Sequence, residues 1–277
     1  MSKAPATPEL AATILLLRDR AGGKAAGVEV FMIVRHTDTT AFSGAAVFPG
    51  GKVDPGDRAP ALRAHADGAE ALDDLALTLR IAAIREAFEE CGVLLARADG
   101  EADLLAGARL AAIEAGWRRR LAADEADIAA LVEAERLRLA VDRLVPFAHW
   151  ITPKTQPRIF DTHFFLAPAP GHQTAHHDGR EGTDSTWLEP RQAVADADAA
   201  RRTVVFPTRM NLLKLARAAS VADALARARA EPIVTVQPEG SPHPEGRVLR
   251  IPAEAGYDGT AFIVGPGAVG VRPLIEE

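Results

Sequence analysis

Arg85-Glu86-Ala87-Phe88-Glu89-Glu90-Cys91-Gly92-Val93 is the stretch on which the fold turns. At about 100° per residue, Leu77, Ile81, Ile84, Phe88, Cys91 and Leu95 recur in alternating steps of four and three, so the segment reads as an amphipathic helix lying on a core. Glu86 and Glu90 point away from that apolar stripe and Glu89 flanks them, which crowds three carboxylates onto little more than one turn. Like charges at i,i+4 cost a free helix about 0.2–0.5 kcal/mol per pair. A hard divalent ion such as Mg²⁺ or Mn²⁺ offsets that cost, since it takes oxygen ligands from a few carboxylates plus substrate phosphates. The cluster therefore reads as a metal site facing a phosphorylated ligand. The plainer alternative is that the acids solvate an exposed helix face, the usual fate of a charge run.

Upstream, Phe48-Pro49-Gly50-Gly51-Lys52-Val53-Asp54-Pro55-Gly56-Asp57 follows the apolar run Ala45-Ala46-Val47. A strand thus delivers the chain into a turn-dense glycine loop ahead of the acidic helix, and glycines there let backbone groups approach a ligand. Gly51, Asp57 and Arg85 to Val93 together resemble the Nudix box, G-x5-E-x7-R-E-U-x-E-E-x-G-U, with U a bulky aliphatic residue. The second half matches at every fixed charge and glycine. There are three departures. Asp57 stands for the first glutamate, Ala87 is small for a U position, and twenty-seven residues rather than seven separate Asp57 from Arg85. Loop closure entropy grows only logarithmically with length, so such an insertion is tolerable, and the added residues are expected to lie outside the catalytic core.

The resemblance implies an α/β fold, a Nudix-type α/β/α sandwich with a mixed sheet and helical insertions. It also implies an enzyme that hydrolyses a nucleoside diphosphate linked to another group, with Mg²⁺ or Mn²⁺ held by the box helix. Carried over position by position, Glu86, Glu89 and Glu90 become metal ligands and water activators, and the carbonyl of Gly50 a further ligand. Arg85 becomes the residue that orients a carboxylate by ion pairing. Elementary chemistry agrees: a metal acidifies water and neutralises phosphate oxygens, while an unligated carboxylate takes a proton from the attacking water. Which of Glu86 and Glu89 is the base stays open. Glu181, in the loop before Ser185-Thr186-Trp187-Leu188-Glu189-Pro190, loosely matches an acid that relatives supply to the metals.

A second resemblance lies just before the box. Phe31-Met32-Ile33-Val34-Arg35-His36, Thr40, Gly44 and Phe48-Pro49-Gly50-Gly51 are similar in spacing to L-L-T-x-R-(S/A)-x3-R-x3-G-x3-F-P-G-G, carried by Nudix proteins that cleave coenzyme A. Arg35 and the spacing survive, whereas Thr40 stands where the second arginine belongs and Ile33 and His36 depart from the pattern. Animal coenzyme A diphosphatases include a type whose box is likewise split by an insertion. The resemblance implies coenzyme A or an acyl derivative as the first substrate, with Arg35 on its anionic phosphates and Phe48, Gly51 and Phe160 also in the substrate site. ADP-ribose, NADH and nucleotide sugars are the alternative substrates, and a non-catalytic metabolite sensor is the alternative of another class. The intact glutamates favour catalysis, and no basic helix-turn-helix follows to make a DNA-reading regulator.

With 277 residues and 48% hydrophobic content the chain can fill a sizeable core. Its net charge of −6 argues against nonspecific nucleic-acid binding. Cys91, the one cysteine, falls on the apolar stripe and reads as a small core residue rather than a nucleophile. No apolar leader follows the basic start and no apolar run of about 18 residues occurs, so the expectation is a cytoplasmic protein with no membrane partner. The expected partner is a small-molecule diphosphate, and a homodimer is left open.

Residues 8–277 are expected to form a single domain with helical insertions at about 58–79 and 102–143, the latter as two helices around Gly116. These insertions are expected to cap the cleft, and Arg118-Arg119-Arg120 reads as a solvated face. Ala11 to Leu17 and Val28 to Val34 read as paired strands, and Val145 to Ile151 and Arg158 to Leu166 have the aromatic and branched content of buried strands. In the last, Asp161 and His163 share one face with Ile159 and Phe165, and Phe160 lies on the other. This run resembles the central Nudix strand that floors the cleft, so Asp161 and His163 read either as polar cleft groups or as partners of nearby backbone. His176-His177-Asp178 reads as loop rather than transition-metal site. Pro190 and Pro207 each open a helix. Ile233 to Val236, Val248 to Ile251 and Thr260 to Val264 either extend the sheet or form an edge hairpin.

Overall fold

The computed structural model describes residues 7–20, 27–35, 44–177, 179, 182–266 and 270–274, the side chain of Arg35 excepted. Strand β1 (Glu9–Asp19) is central. Ala12, Ile14 and Leu16 are buried on one face and Leu15 and Leu17 on the other, as expected of a strand covered on both sides. It runs antiparallel to β2 (Val28–Arg35), which carries β3 (Ala46–Val47) on its far edge. The glycine strand β4 (Gly50–Lys52) pairs with the first half of β1, Gly51 opposite Ala12.

Two 3-10 turns, Pro55–Arg58 and Pro60–His65, lead into α1 (Asp74–Cys91), the helix that carries the acids. Asp73 caps its start by accepting from the Ala76 amide at 2.7 Å. Gly92 ends it at φ 71°, a left-handed cap that any other residue adopts only with strain. The stripe from Leu77 to Cys91 is buried against the sheet as expected, with Phe88 wholly enclosed, a side chain whose burial is worth roughly 1.5–3 kcal/mol. Leu95 is also buried but lies past the helix end.

Then come β5 (Ala96–Ala98), α2 (Gly107–Ile113), a π-helical turn (Glu114–Arg118) and α3 (Arg119–Leu121). Next are α4 (Ile128–Glu135) and β6 (Leu137–Leu139), which pairs with β5. The expected break at Gly116 is instead the π turn inside one continuous helical run, and the chain leaves the helix at residues 122–127. Both insertions contribute to the hydrophobic core. Leu62, Ala66 and Ala69 from the first, and Ile113, Leu121, Ile128, Leu131 and Val132 from the second, join the same apolar cluster as Phe88. The first is also not an α-helical insert, since its latter part is the opening of α1 itself. The insertions thus cover the outer side of α1, which explains why that helix is buried on almost every side instead of along one stripe.

Strands β7 (Val145–Ile151) and β8 (Phe160–Pro168) pair antiparallel, and β8 runs parallel to β1. After β9 (Gly182–Leu188), which pairs with β2, follow α5 (Pro190–Asp198), α6 (Phe206–Leu215) and α7 (Val221–Ala230). Then β10 (Thr235–Val236) adds in parallel to β7. The sheet reads β10-β7-β8-β1-β2-β3, with β4 on β1 and β9 on β2. A second antiparallel sheet, β11 (Glu239–His243), β12 (Gly246–Arg250), β13 (Ala261–Val264) and β14 (Arg272–Pro273), packs Leu249, Phe262 and Val264 with α6 and α7. The result is a mixed sheet between α1 with its insertions on one face and α5 to α7 on the other.

Candidate active site

Arg85 organises the acidic cluster. Its Nε and Nη2 donate to both oxygens of Asp57 at 2.9 and 3.0 Å, and Nη2 also donates to the Lys52 carbonyl at 2.7 Å. Its Nη1 donates to Glu86 Oε1 at 2.9 Å and Glu89 Oε1 at 3.1 Å. All five N–H groups of the guanidinium are thereby used. Asp57 is fully buried and also accepts the Asp54 amide at 2.8 Å, so it is at once a turn cap and the fork partner of Arg85. The capping pattern Asp54-x-x-Asp57 was the sequence signal for that double role.

The glycine strand reaches the same place. The Gly50 amide donates to Glu90 Oε2 at 2.9 Å. A Cβ on Gly51 would sit 2.5 Å from Glu86 Oε1, so only glycine lets the strand pass this close to the carboxylate. Arg85 and Glu86 are buried rather than solvating a surface. The solvated-face alternative therefore fails for Glu86, while Glu89 and Glu90 are half-buried and bonded to Arg85 and to the Gly50 amide.

One buried guanidinium faces Asp57, Glu86 and Glu89. Burial pushes the Glu86 carboxyl up to about 8, opposed by Arg85 and reinforced by Glu89. Burial also raises Glu89 and Asp57 against the pull of Arg85. Arg85 itself is held firmly charged: burial works against it, but Glu86, Asp57 and Glu89 outweigh that. An enclosed set of oxygen donors short of positive charge fits a hard divalent cation. The cleft side of the helix is also tied down. Arg118 donates to the Glu89 carbonyl at 3.0 Å and the His176 carbonyl at 2.9 Å, and pairs with Glu114 at 2.8 Å. Arg118 is therefore not part of a solvated face, while Arg119 pairs with Glu125 at the surface.

The other candidates scatter. Phe48 is buried at 4% exposure among Met32, Phe206 and their neighbours, a core residue on the far side of the sheet from α1. Phe160 shares the β8 face of Phe164 and Leu166, which also belong to that far core, so the sheet separates it from Glu86. Arg35 lies at the end of β2 opposite Gly182, and its side chain lies outside the described residues, as do Thr40 and Glu181. Cys91 is enclosed, its Sγ 2.9 Å from the Ala87 carbonyl and its thiol pushed up to about 12 by burial, an inert core group.

Asp161 and His163 meet a partner that sequence reasoning missed. His149, opposite His163 in the β7–β8 ladder, bonds Asp161 through Nε2 and stacks on His163 with ring centroids 4.0 Å apart. Burial, then the neighbouring His149, lowers His163 to about 4, with Asp161 opposing. The signal available was the odd-numbered parity of Asp161 and His163, which needed only a facing histidine on the adjacent strand. Loop histidines behave differently: His177 bonds Ser185, and His176 joins Arg118.

A mixed α/β sheet with a glycine strand running against a buried arginine–carboxylate helix is thus the frame of the candidate site. The NUDT19 Nudix domain model matches residues 61–214, more than half of the chain, and the chain belongs to the Nudix hydrolase family. A Caenorhabditis elegans protein called nudix hydrolase 7 is 27% identical over 196 residues, 68% of this chain and 56% of its own length, so the chain spans just over half of that relative. A solved NUDIX hydrolase from Alicyclobacillus acidocaldarius is 27% identical with a TM-score of 0.69, covering 80% of this chain and 97% of that one.

Proposed function

We propose that the chain hydrolyses the diphosphate linkage of a nucleoside diphosphate-X metabolite, with coenzyme A or an acyl derivative as the first substrate. The observation that carries this is the set of buried Asp57 and Glu86 and half-buried Glu89 around a single guanidinium, with Gly51 pressed against Glu86. In this reading Glu86, Glu89 and Glu90 hold Mg²⁺ or Mn²⁺, joined by the Gly50 carbonyl and by Glu181. When bound, the ion neutralises charge on the phosphate oxygens and acidifies the attacking water. Arg85, anchored on Asp57, orients Glu86 and Glu89 so that each keeps one oxygen for the ion or for a proton. Gly50 holds Glu90 through its amide, and the Arg118 clamp on the Glu89 carbonyl keeps the last turn of the helix in register.

The choice of coenzyme A rests on Arg35 and the spacing to Gly44 and Phe48-Pro49-Gly50-Gly51. Thr40 in place of an arginine favours ADP-ribose, NADH or a nucleotide sugar as the second reading. The deciding experiment is turnover of a panel of diphosphate metabolites with Mg²⁺ and Mn²⁺, with identification of the bond broken. Coenzyme A is expected to give 4′-phosphopantetheine and 3′,5′-adenosine bisphosphate. Charge-assisted phosphate contacts are worth about 1.5–3 kcal/mol, so Arg35→Ala is expected to slow coenzyme A cleavage about tenfold or more beyond its effect on ADP-ribose. Equal losses would make Arg35 structural, and no coenzyme A cleavage would select the second reading.

A further inference from the structure

We propose that His149, Asp161 and His163 form a separate metal site for a divalent transition-metal ion of the Zn²⁺ class. The three ligating atoms, one from each residue, lie within 4.8 Å of one another, the only such group among the described residues. His163 Nε2 is 3.5 Å from Asp161 Oδ1. Two ligands each about 2.1 Å from a tetrahedral ion are about 3.4 Å apart, so the His163–Asp161 spacing suits a shared ion, and His149 completes the site by releasing its hydrogen bond to the same oxygen. The ladder sets it, because His149 faces His163 directly and Asp161 precedes His163 by two residues on the same strand face.

Metal-free hydrogen bonding accounts for only half of the arrangement. Asp161 Oδ1 receives His149, but at 3.5 Å His163 stands beyond the ordinary N–H···O range of about 2.7–3.2 Å. Two stacked imidazoles then converge on one carboxylate oxygen with a single hydrogen bond between them. A cation among the three satisfies both rings and the carboxylate.

The outer support also has the form metal sites use. His149 Nδ1 is 2.8 Å from Thr235 Oγ1 on β10. When an ion replaces the Nε2–Asp161 hydrogen bond, the ring proton sits on Nδ1 against that hydroxyl and Nε2 gives its lone pair to the ion, which is how ligating histidines are held. Two imidazoles and one carboxylate suit Zn²⁺, Co²⁺, Fe²⁺ or Ni²⁺ over Mg²⁺, whereas the box offers oxygens alone. The side chains are 16%, 24% and 25% exposed, so an ion there keeps an open position toward solvent. The group lies two strands from Gly51, with Ala12 of β1 pairing both His163 and Gly51.

The test uses the full chain with Co²⁺ as the probe, first in saturating Mg²⁺ and then in a Glu86→Gln/Glu89→Gln background that removes the box. One equivalent of Co²⁺ is expected to give visible ligand-field bands and nitrogen hyperfine coupling, displaced by Zn²⁺ and not by Mg²⁺. His163→Ala or Asp161→Asn should weaken Co²⁺ at least 100-fold, and Thr235→Val about 10-fold or more. Metal-free melting temperatures separate a lost ligand from a lost fold, and His163→Cys, which restores a ligand, should recover binding. Absence of the bands in wild type, or equal Co²⁺ affinity in His163→Ala and the parent, overturns the proposal.

Discussion

Two polar clusters stand on the same face of one sheet, one on either side of Ala12, and they are put together by different means. The box cluster takes its groups from a helix and the glycine loop just before it. There a guanidinium neutralises part of an excess of carboxylates that burial has already pushed toward protonation. The imidazole cluster takes His149, Asp161 and Thr235 from three strands, with His163 held neutral by burial and by its neighbour His149. A helix brings i and i+4 together whatever surrounds it, whereas strands bring side chains together only through register. The first cluster was therefore legible in one nonapeptide and the second was not.

The largest effect expected at the box follows from removing its cation. Arg85→Leu leaves Asp57 and Glu86 buried without their cation, and stripping one side of a buried pair costs about 3–5 kcal/mol. Urea unfolding in chelator measures this, and a loss below about 1 kcal/mol would mean that the acids are solvated in solution after all. If the box differs from the imidazole cluster in being the catalytic one, Glu90→Gln should lower Mg²⁺-dependent hydrolysis by about 100-fold, or ~2.7 kcal/mol of transition-state stabilisation. The amide oxygen still accepts the Gly50 amide, so the melting temperature should hold or rise. Full activity, or turnover undiminished by chelator, removes the metal from the reading.

A smaller effect tests the close approach of strand and helix. Gly51→Ala places a Cβ against the Glu86 carboxylate, and displacing that ligand should weaken Mn²⁺ about 10-fold in a titration followed by paramagnetic relaxation. Unchanged affinity would mean that Glu86 is not a ligand. The subtlest effect is on pH. Because Glu86 holds its proton up to about 8 in the folded chain, the folded state binds more protons than the unfolded state above the ordinary carboxylate range. Stability is then full below about 4.5 and falls as pH rises toward 8. Melting in chelator should show that fall, divalent metal should reverse it most at pH 8, and Glu86→Gln should flatten it. A melting temperature that rises across this window in chelator contradicts the burial of Glu86.

Several expectations failed for one physical reason. Phe48 and Phe160 are expected in the substrate site from motif position and strand content, but Phe48 is buried in the core beneath α5 to α7 and strand parity turns the half-buried Phe160 to that same face. The insertions were expected over the cleft. Leu62, Leu131 and Val132 also fill the core against α1, so removing residues 59–78 is expected to unfold the chain rather than trim it. In each case the residue type was read correctly as apolar or helical, and only its destination was wrong. The short helix α7 and the role of Arg118 went unseen because neither carries a local signal that differs from an ordinary solvated helix.

By itself the sequence determined the acidic helix, its glycine loop, the paired strands β1 and β2 and the core character of Cys91. Each of these follows from a period or a turn residue within about ten positions. The tertiary structure decided what those elements face. Its plainest case is β7, where the ladder shifts register between Pro146 and Ala148, so that His149 stands opposite His163. Had the ladder kept its first register through Phe147, His149 would oppose Thr162 on the other face, because a strand's side chains alternate and a single-residue slip sends every one of them across the sheet.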